Sequence, residues 1–178
     1  MLQVTGEPLL ERQLRVLKEA GANEILLSIG QQCPGRPTLD PSIRVVTDRL
    51  QDIGPLGGID AAFSLMSGTH LLVLAVDLPQ MNSPLLQLLI HRSTVFQGVV
   101  PRVAHQLEPL VAVYPAAART VLGEQLDREQ FSVAEFARHC HSVGLVQFWD
   151  VPKSLDRGFL NWNQPGDWSG LKEPAARP

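Results

Sequence analysis

The sequence predicts an α/β fold: a three-layer α/β/α arrangement around a Rossmann-like, mostly parallel sheet with an antiparallel insertion. Three observations carry this. Short apolar or β-branched runs alternate with amphipathic stretches along most of the chain. The run Leu71-Leu72-Val73-Leu74-Ala75-Val76 is apolar without a break, as in a central parallel strand covered on both faces. The runs 98–101 and 108–114 stand too close for a crossover helix between them and suit an inserted antiparallel pair.

The elements follow in order. Pro8 to Ala20 carries apolar residues at helical spacing, with Pro8 suited to a first turn and Gly21 just past the end. Residues 24–30 read as a buried strand, followed by the loop Cys33-Pro34-Gly35-Arg36-Pro37. Residues 43–48 form a second strand, and Gly54-Pro55-Leu56-Gly57-Gly58 leads into a helix over Ile59 to Met66. After the apolar strand, Ser83-Pro84 caps a helix from Leu85 to His91. Ser132-Val133-Ala134-Glu135 matches a capping box and opens a helix to about His139. Val146 to Val151 is a last strand, and Phe159 to Pro165 a turn.

At 178 residues, 44% hydrophobic and 19% charged, the chain predicts one globular domain over 1–170 and a polar tail over 171–178. Fifteen Lys and Arg against 18 Asp and Glu leave a net charge of −3, which gives no bulk support for binding nucleic acid. No apolar run approaches the roughly 20 residues of a membrane span, and the first residues lack the pattern of a signal peptide. A cytoplasmic protein is expected. Cys33 and Cys140 read as free thiols. His139-Cys140-His141 lacks a fourth ligand at ordinary spacing, so it is not read as a metal site.

In an open α/β sheet, ligands bind beyond the carboxyl ends of the strands, which is where Asp48, Gly54 to Gly58 and Asp77 fall. Asp77 ends the most apolar strand. A carboxylate there either is compensated by a divalent cation, with magnesium as the natural partner, or caps the turn into Leu78-Pro79 through its side chain. The Gly54–Gly58 stretch either brings backbone amides close to an anion or simply turns the chain. Asn161 and Asn163 flank Trp162 and point one way if extended, toward a base, a ribose or metal-bound water, or else they belong to a turn. Glu108 precedes a strand and is either exposed or part of the site.

Taken together, Pro8-Leu9-Leu10-Glu11, Val46-Thr47-Asp48 with Gly54-Pro55-Leu56-Gly57-Gly58, Val73 to Pro79, Glu108 to Tyr114 and Asn161-Trp162-Asn163-Gln164-Pro165 resemble the molybdenum cofactor guanylyltransferase family in order and spacing. The resemblance implies an enzyme that transfers GMP from GTP to molybdenum-molybdopterin with magnesium and releases pyrophosphate. It implies Asp77 as the magnesium ligand, Asp48 as a nucleotide contact and Gly54 and Gly58 as the lining of the nucleotide site. Asn161 and Asn163 then lie near the metal or the pterin, and Glu108 on the pterin side. Molybdoenzymes or their chaperones are the implied protein partners.

The chain departs from the family in two places. The family's opening strand and glycine-rich, lysine-containing phosphate signature have no counterpart before Pro8, so an upstream start is expected, and transfer by the chain as written is in doubt. Ser28-Ile29-Gly30-Gln31 lacks the asparagine that the family often places there. Cytidylyl or sugar-phosphate nucleotidyl transfer is the alternative within the same chemistry. A molybdopterin-binding protein without catalysis and an α/β scaffold without ligand are the alternatives outside it.

Overall fold

The computed structural model describes residues 3–4, 7–30, 40–48 and 53–161. Within them the chain runs β1 (Gln3–Val4), β2 (Glu7–Pro8), α1 (Leu9–Ala20), β3 (Ile25–Ile29), β4 (Ile43–Thr47), α2 (Pro55–Leu65), β5 (His70–Leu74), α3 (Ser83–Arg92), β6 (Gly98–Val103), β7 (Gln106–Leu107), β8 (Val111–Pro115), α4 (Ala118–Asp127), α5 (Val133–Ser142) and β9 (Val146–Asp150), ending in a 3-10 turn at Asp156–Phe159. The predicted alternation of strands and helices is found. Asn163 and the 171–178 tail lie outside the described residues, as does Cys33.

Local chemistry explains the helix boundaries. Gly21 takes φ +96, and the amides of Gly21 and Ala22 donate to Lys18 and Leu17, closing α1 in the left-handed turn that glycine favours. α3 is capped by Asn82, whose side chain accepts from the Leu85 amide at 3.0 Å, so the cap is not Ser83 as the sequence suggests. Ser132 accepts from the Glu135 amide, one half of the expected capping box. α2 begins at Pro55, four residues before the expected start, which places Gly57 and Gly58 inside its first turn. α4 has no predicted counterpart: it has no side-chain cap and only two residues separate it from the preceding strand.

β3 and β4 pair in parallel, Ile25 beside Ile43 through Ile29 beside Thr47. The five-stranded sheet is mixed. β5 is antiparallel to β8 and β8 antiparallel to β6, while β9 lies parallel on β6. The hairpin partner β7 makes β6, β7 and β8 the antiparallel insertion. Two antiparallel steps give β5, β6 and β9 one direction, so their carboxyl ends share one end of the sheet.

The 71–76 strand departs from expectation. Among the described residues its partner is β8, antiparallel, and all five residues of β5 are half-exposed. Its two faces are nonetheless packed. Leu71 and Val73 face the core of Leu56, Tyr114, Leu122 and Phe136; Leu72 and Leu74 face that of Met81, Leu86 and Val99. Solvent therefore reaches β5 along its edge. The Tyr114 and Phe136 rings, 5.0 Å apart, anchor the first core, each ring contributing on the order of 2 kcal/mol by burial. Among the described residues no helix is long and apolar enough to cross a membrane.

Candidate active site

The antiparallel register of β5 and β8 assembles the acidic end of the site. Leu74 stands opposite Val111, and the Ala75 amide donates to Leu110 at 2.8 Å, so the chain leaving β5 toward Asp77 runs beside the chain entering β8 from Glu108. The approach to β8 is fixed by three bonds. The Glu108 amide donates to Pro101, the Val111 amide to the Glu108 carbonyl, and the buried Tyr114 hydroxyl to Pro109 at 2.9 Å. Glu108 is half-buried, and its carboxyl is held above the usual carboxylate range, first by desolvation and then by the negative charge of Asp77. Two carboxylates that repel each other at the end of two strands are a donor set that fits a divalent cation. No cluster of three or more metal-binding side chains occurs among the described residues. An ion held by this pair completes its shell with ligand oxygens and water, the habit of magnesium.

The segment after Asp77 is clamped from α1. The Arg12 guanidinium donates to the Pro79 carbonyl at 2.8 Å and to Met81 at 3.1 Å. Gln13, only 3% exposed, donates to the Leu78 carbonyl at 2.6 Å. Sequence reasoning did not single out either residue. A signal was present, since Gln13 occupies the stripe formed by Leu9, Val16 and Ala20, where an amide is out of place unless it has a specific partner.

Asp48 and the glycines form a separate group at the carboxyl ends of β3 and β4. The Ser28 hydroxyl donates to Asp48 Oδ1 at 2.6 Å. A Cβ on Gly58 would stand 2.6 Å from Ser28 Oγ, and one on Gly57 3.3 Å from the Asp48 side chain. These two glycines let α2 approach the strand ends closely. Gly54, at φ +64 and ψ −153, holds a conformation open to glycine almost alone. α2 packs on β3, β4 and β5 and so spans the two groups.

A cavity of about 400 Å³ opens between the start of α3 and the 3-10 turn, at the same end of the sheet as Asp77. Gln80, Asn82, Leu85, Leu88, Ser154 and Arg157 line it. Arg157 makes no ion pair among the described residues. Asn161 is exposed, three residues beyond the cavity-lining Gly158. Cys140 is fully buried with its thiol pushed up to about 12 by desolvation, while His141 stacks on Phe148 at 4.1 Å, so the His139-Cys140-His141 run holds no shared site.

Residues 1–142 match the MobA-like NTP transferase domain. The chain belongs to the MobA-like NTP transferase family. The probable molybdenum cofactor guanylyltransferase of Opitutus terrae is 30% identical over 169 residues, which are 93% of this chain and 82% of the relative. Two solved structures share the fold. Molybdopterin-guanine dinucleotide biosynthesis protein A from Archaeoglobus fulgidus superposes with a TM-score of 0.66 at 18% identity, over 93% of this chain and 84% of that one. The 2-C-methyl-D-erythritol 4-phosphate cytidylyltransferase of Thermus thermophilus does so at 0.68 and 17%, over 93% and 88%. Within this MobA-like transferase the candidate site is an acidic pair, a clamped segment after it, a serine–aspartate pair under α2 and an adjoining cavity.

Proposed function

We propose that this MobA-like transferase joins GMP from GTP to the phosphate of molybdenum-molybdopterin, releasing pyrophosphate, in the cytoplasm and within one domain over residues 1–170. The observation that carries the proposal is the β5–β8 register, which brings the chain leaving β5 toward Asp77 beside the chain entering β8 from Glu108, in a chain 30% identical to a relative named for that activity.

Asp77 would hold magnesium, and Glu108, which the family resemblance puts on the pterin side, is reassigned to share that ion. The ion, when bound, supplies charge neutralisation on the phosphates, which is the main requirement of a nucleotidyl transfer. The residues of the chain do the positioning. Arg12 and Gln13 fix the Leu78–Met81 backbone and hence the direction in which Asp77 projects. Ser28 holds Asp48, which we assign to the nucleotide, with Gly54 and Gly58 allowing close approach there. We assign the cavity beside α3 to the acceptor: Leu85 and Leu88 suit the face of a pterin ring, and Arg157 suits the charge of the acceptor phosphate. Asn161 and Asn163 are assigned to the same acceptor side.

The test is pyrophosphate release from GTP, and separately from CTP, with magnesium and molybdopterin. It is run on this chain and on a form lengthened upstream to the nearest in-frame start. Release from GTP in preference to CTP, with a pterin–guanine dinucleotide as product, is the expected result. Release from CTP instead, or from neither by both forms, overturns the assignment.

A further inference from the structure

The end of the sheet opposite Asp77 carries a feature that nucleotidyl transfer does not use. β5, β6 and β9 begin there, one strand length or about 17 Å from the acidic pair. The turn between α3 and β6 is closed by reciprocal backbone bonds, Thr94 to Gln97 at 2.8 Å and Gln97 to Thr94 at 3.3 Å, and its tip presents Val95 and Phe96 to solvent at 75% and 82% exposure. Gln97 Nε2 donates to the Gly144 carbonyl, which ties this tip to the turn that carries Val143, 54% exposed. Two turns bonded to each other thus display three apolar side chains.

The charge around them is one-sided. The segments that build this end, 66–70, 91–98, 115–119 and 138–146, contain Arg92, Arg119 and Arg138 and the histidines 70, 91, 139 and 141, and no Asp or Glu, in a chain whose net charge is −3. None of the three arginines forms an ion pair among the described residues, although the Arg92 guanidinium lies over the Trp149 ring at 4.4 Å and Arg119 donates to the Ser64 hydroxyl at 3.5 Å. Glu24, the acid that reaches this end, is taken up by Arg44 and by the amide and hydroxyl of Ser67.

We infer that this end docks an acidic protein partner, with Phe96 inserted into an apolar socket of that partner and the arginines facing its carboxylates. An exposed aromatic at an end whose segments carry arginine and no acid has the composition from which interface hot spots are built. A second copy of the chain is a poorer occupant, because a two-fold contact would set like charges against each other. The position leaves Asp77 and Glu108 open while the partner is bound.

The test is selection of a random peptide library against the full chain, with a solution count of its copies by sedimentation. Peptides combining Asp or Glu with apolar residues are expected. Their affinity should fall at least about tenfold in Phe96→Ser and also in Arg138→Glu, and should fall with added salt, while the melting temperature of Phe96→Ser stays that of the wild type. Selected peptides without acidic residues, equal binding by Phe96→Ser, or no enrichment at all would overturn the inference. So would a dimer that Phe96→Ser dissociates, or retention of single-stranded DNA in place of peptides.

Discussion

Gln13 on α1 and Leu78, sixty-five residues later, are joined by a buried hydrogen bond of 2.6 Å from the amide of the first to the backbone carbonyl of the second. That bond holds the residue next to Asp77. Replacing Gln13 by Leu keeps the volume but leaves the Leu78 carbonyl without its donor in the interior. A loss of about 1–3 kcal/mol of stability is expected in chemical denaturation, together with weaker divalent-cation binding. A variant that loses neither would show the clamp to be incidental.

Gly58 is predicted to tolerate no side chain while Ser28 is present. Gly58→Ala puts Cβ 2.6 Å from Ser28 Oγ and 2.9 Å from Ser28 Cβ, and should destabilise by about 1–3 kcal/mol. Ser28→Gly removes both obstacles, so the double variant should be more stable than the sum of the single losses allows. The check is a double-mutant cycle by urea unfolding. Strict additivity would mean that the two residues do not meet.

The fold was legible where one segment determined its own structure, and the site only where a motif pointed at it. α1 with its Gly21 stop, β3, β4 and β9 follow from periodicity and local caps. α4 was not legible, since it has no cap signal. The direction of β5 was not either, because an apolar run says that both faces are covered and nothing about which neighbour pairs with it. Asp77 was legible as a strand-end acid. Its approach to Glu108 depends on a register across thirty intervening residues, and Arg12 and Gln13 act on a loop far along the chain, which no local pattern encodes.

The raised carboxyl of Glu108 makes a pH prediction. The folded chain holds that proton more tightly than the unfolded chain does, so stability is lost as pH rises from the unfolded carboxylate range, about 4.3, through the higher folded value. Glu108→Gln stays neutral and escapes this loss. With chelator present, its melting temperature should exceed that of the wild type at neutral pH and converge with it in acid. A variant less stable at neutral pH would contradict the raised Glu108 carboxyl, which rests first on its burial and then on the charge of Asp77.

Cys140 should be silent toward thiol reagents in the native state, since it is fully buried and its thiol is pushed up to about 12. In a Cys33→Ser background, labelling should proceed only as the chain unfolds in urea. Rapid native labelling would show that α5 opens readily from the sheet.

The central claim is that Asp77 and Glu108 together hold a divalent cation. Titration of manganese into the wild type and into Asp77→Asn, followed by the loss of the free-ion electron paramagnetic resonance signal with and without GTP, tests it most directly. One bound ion in the wild type, tightened by GTP and weakened at least about tenfold in the variant, is the predicted result. Equal affinity in the two proteins would contradict it.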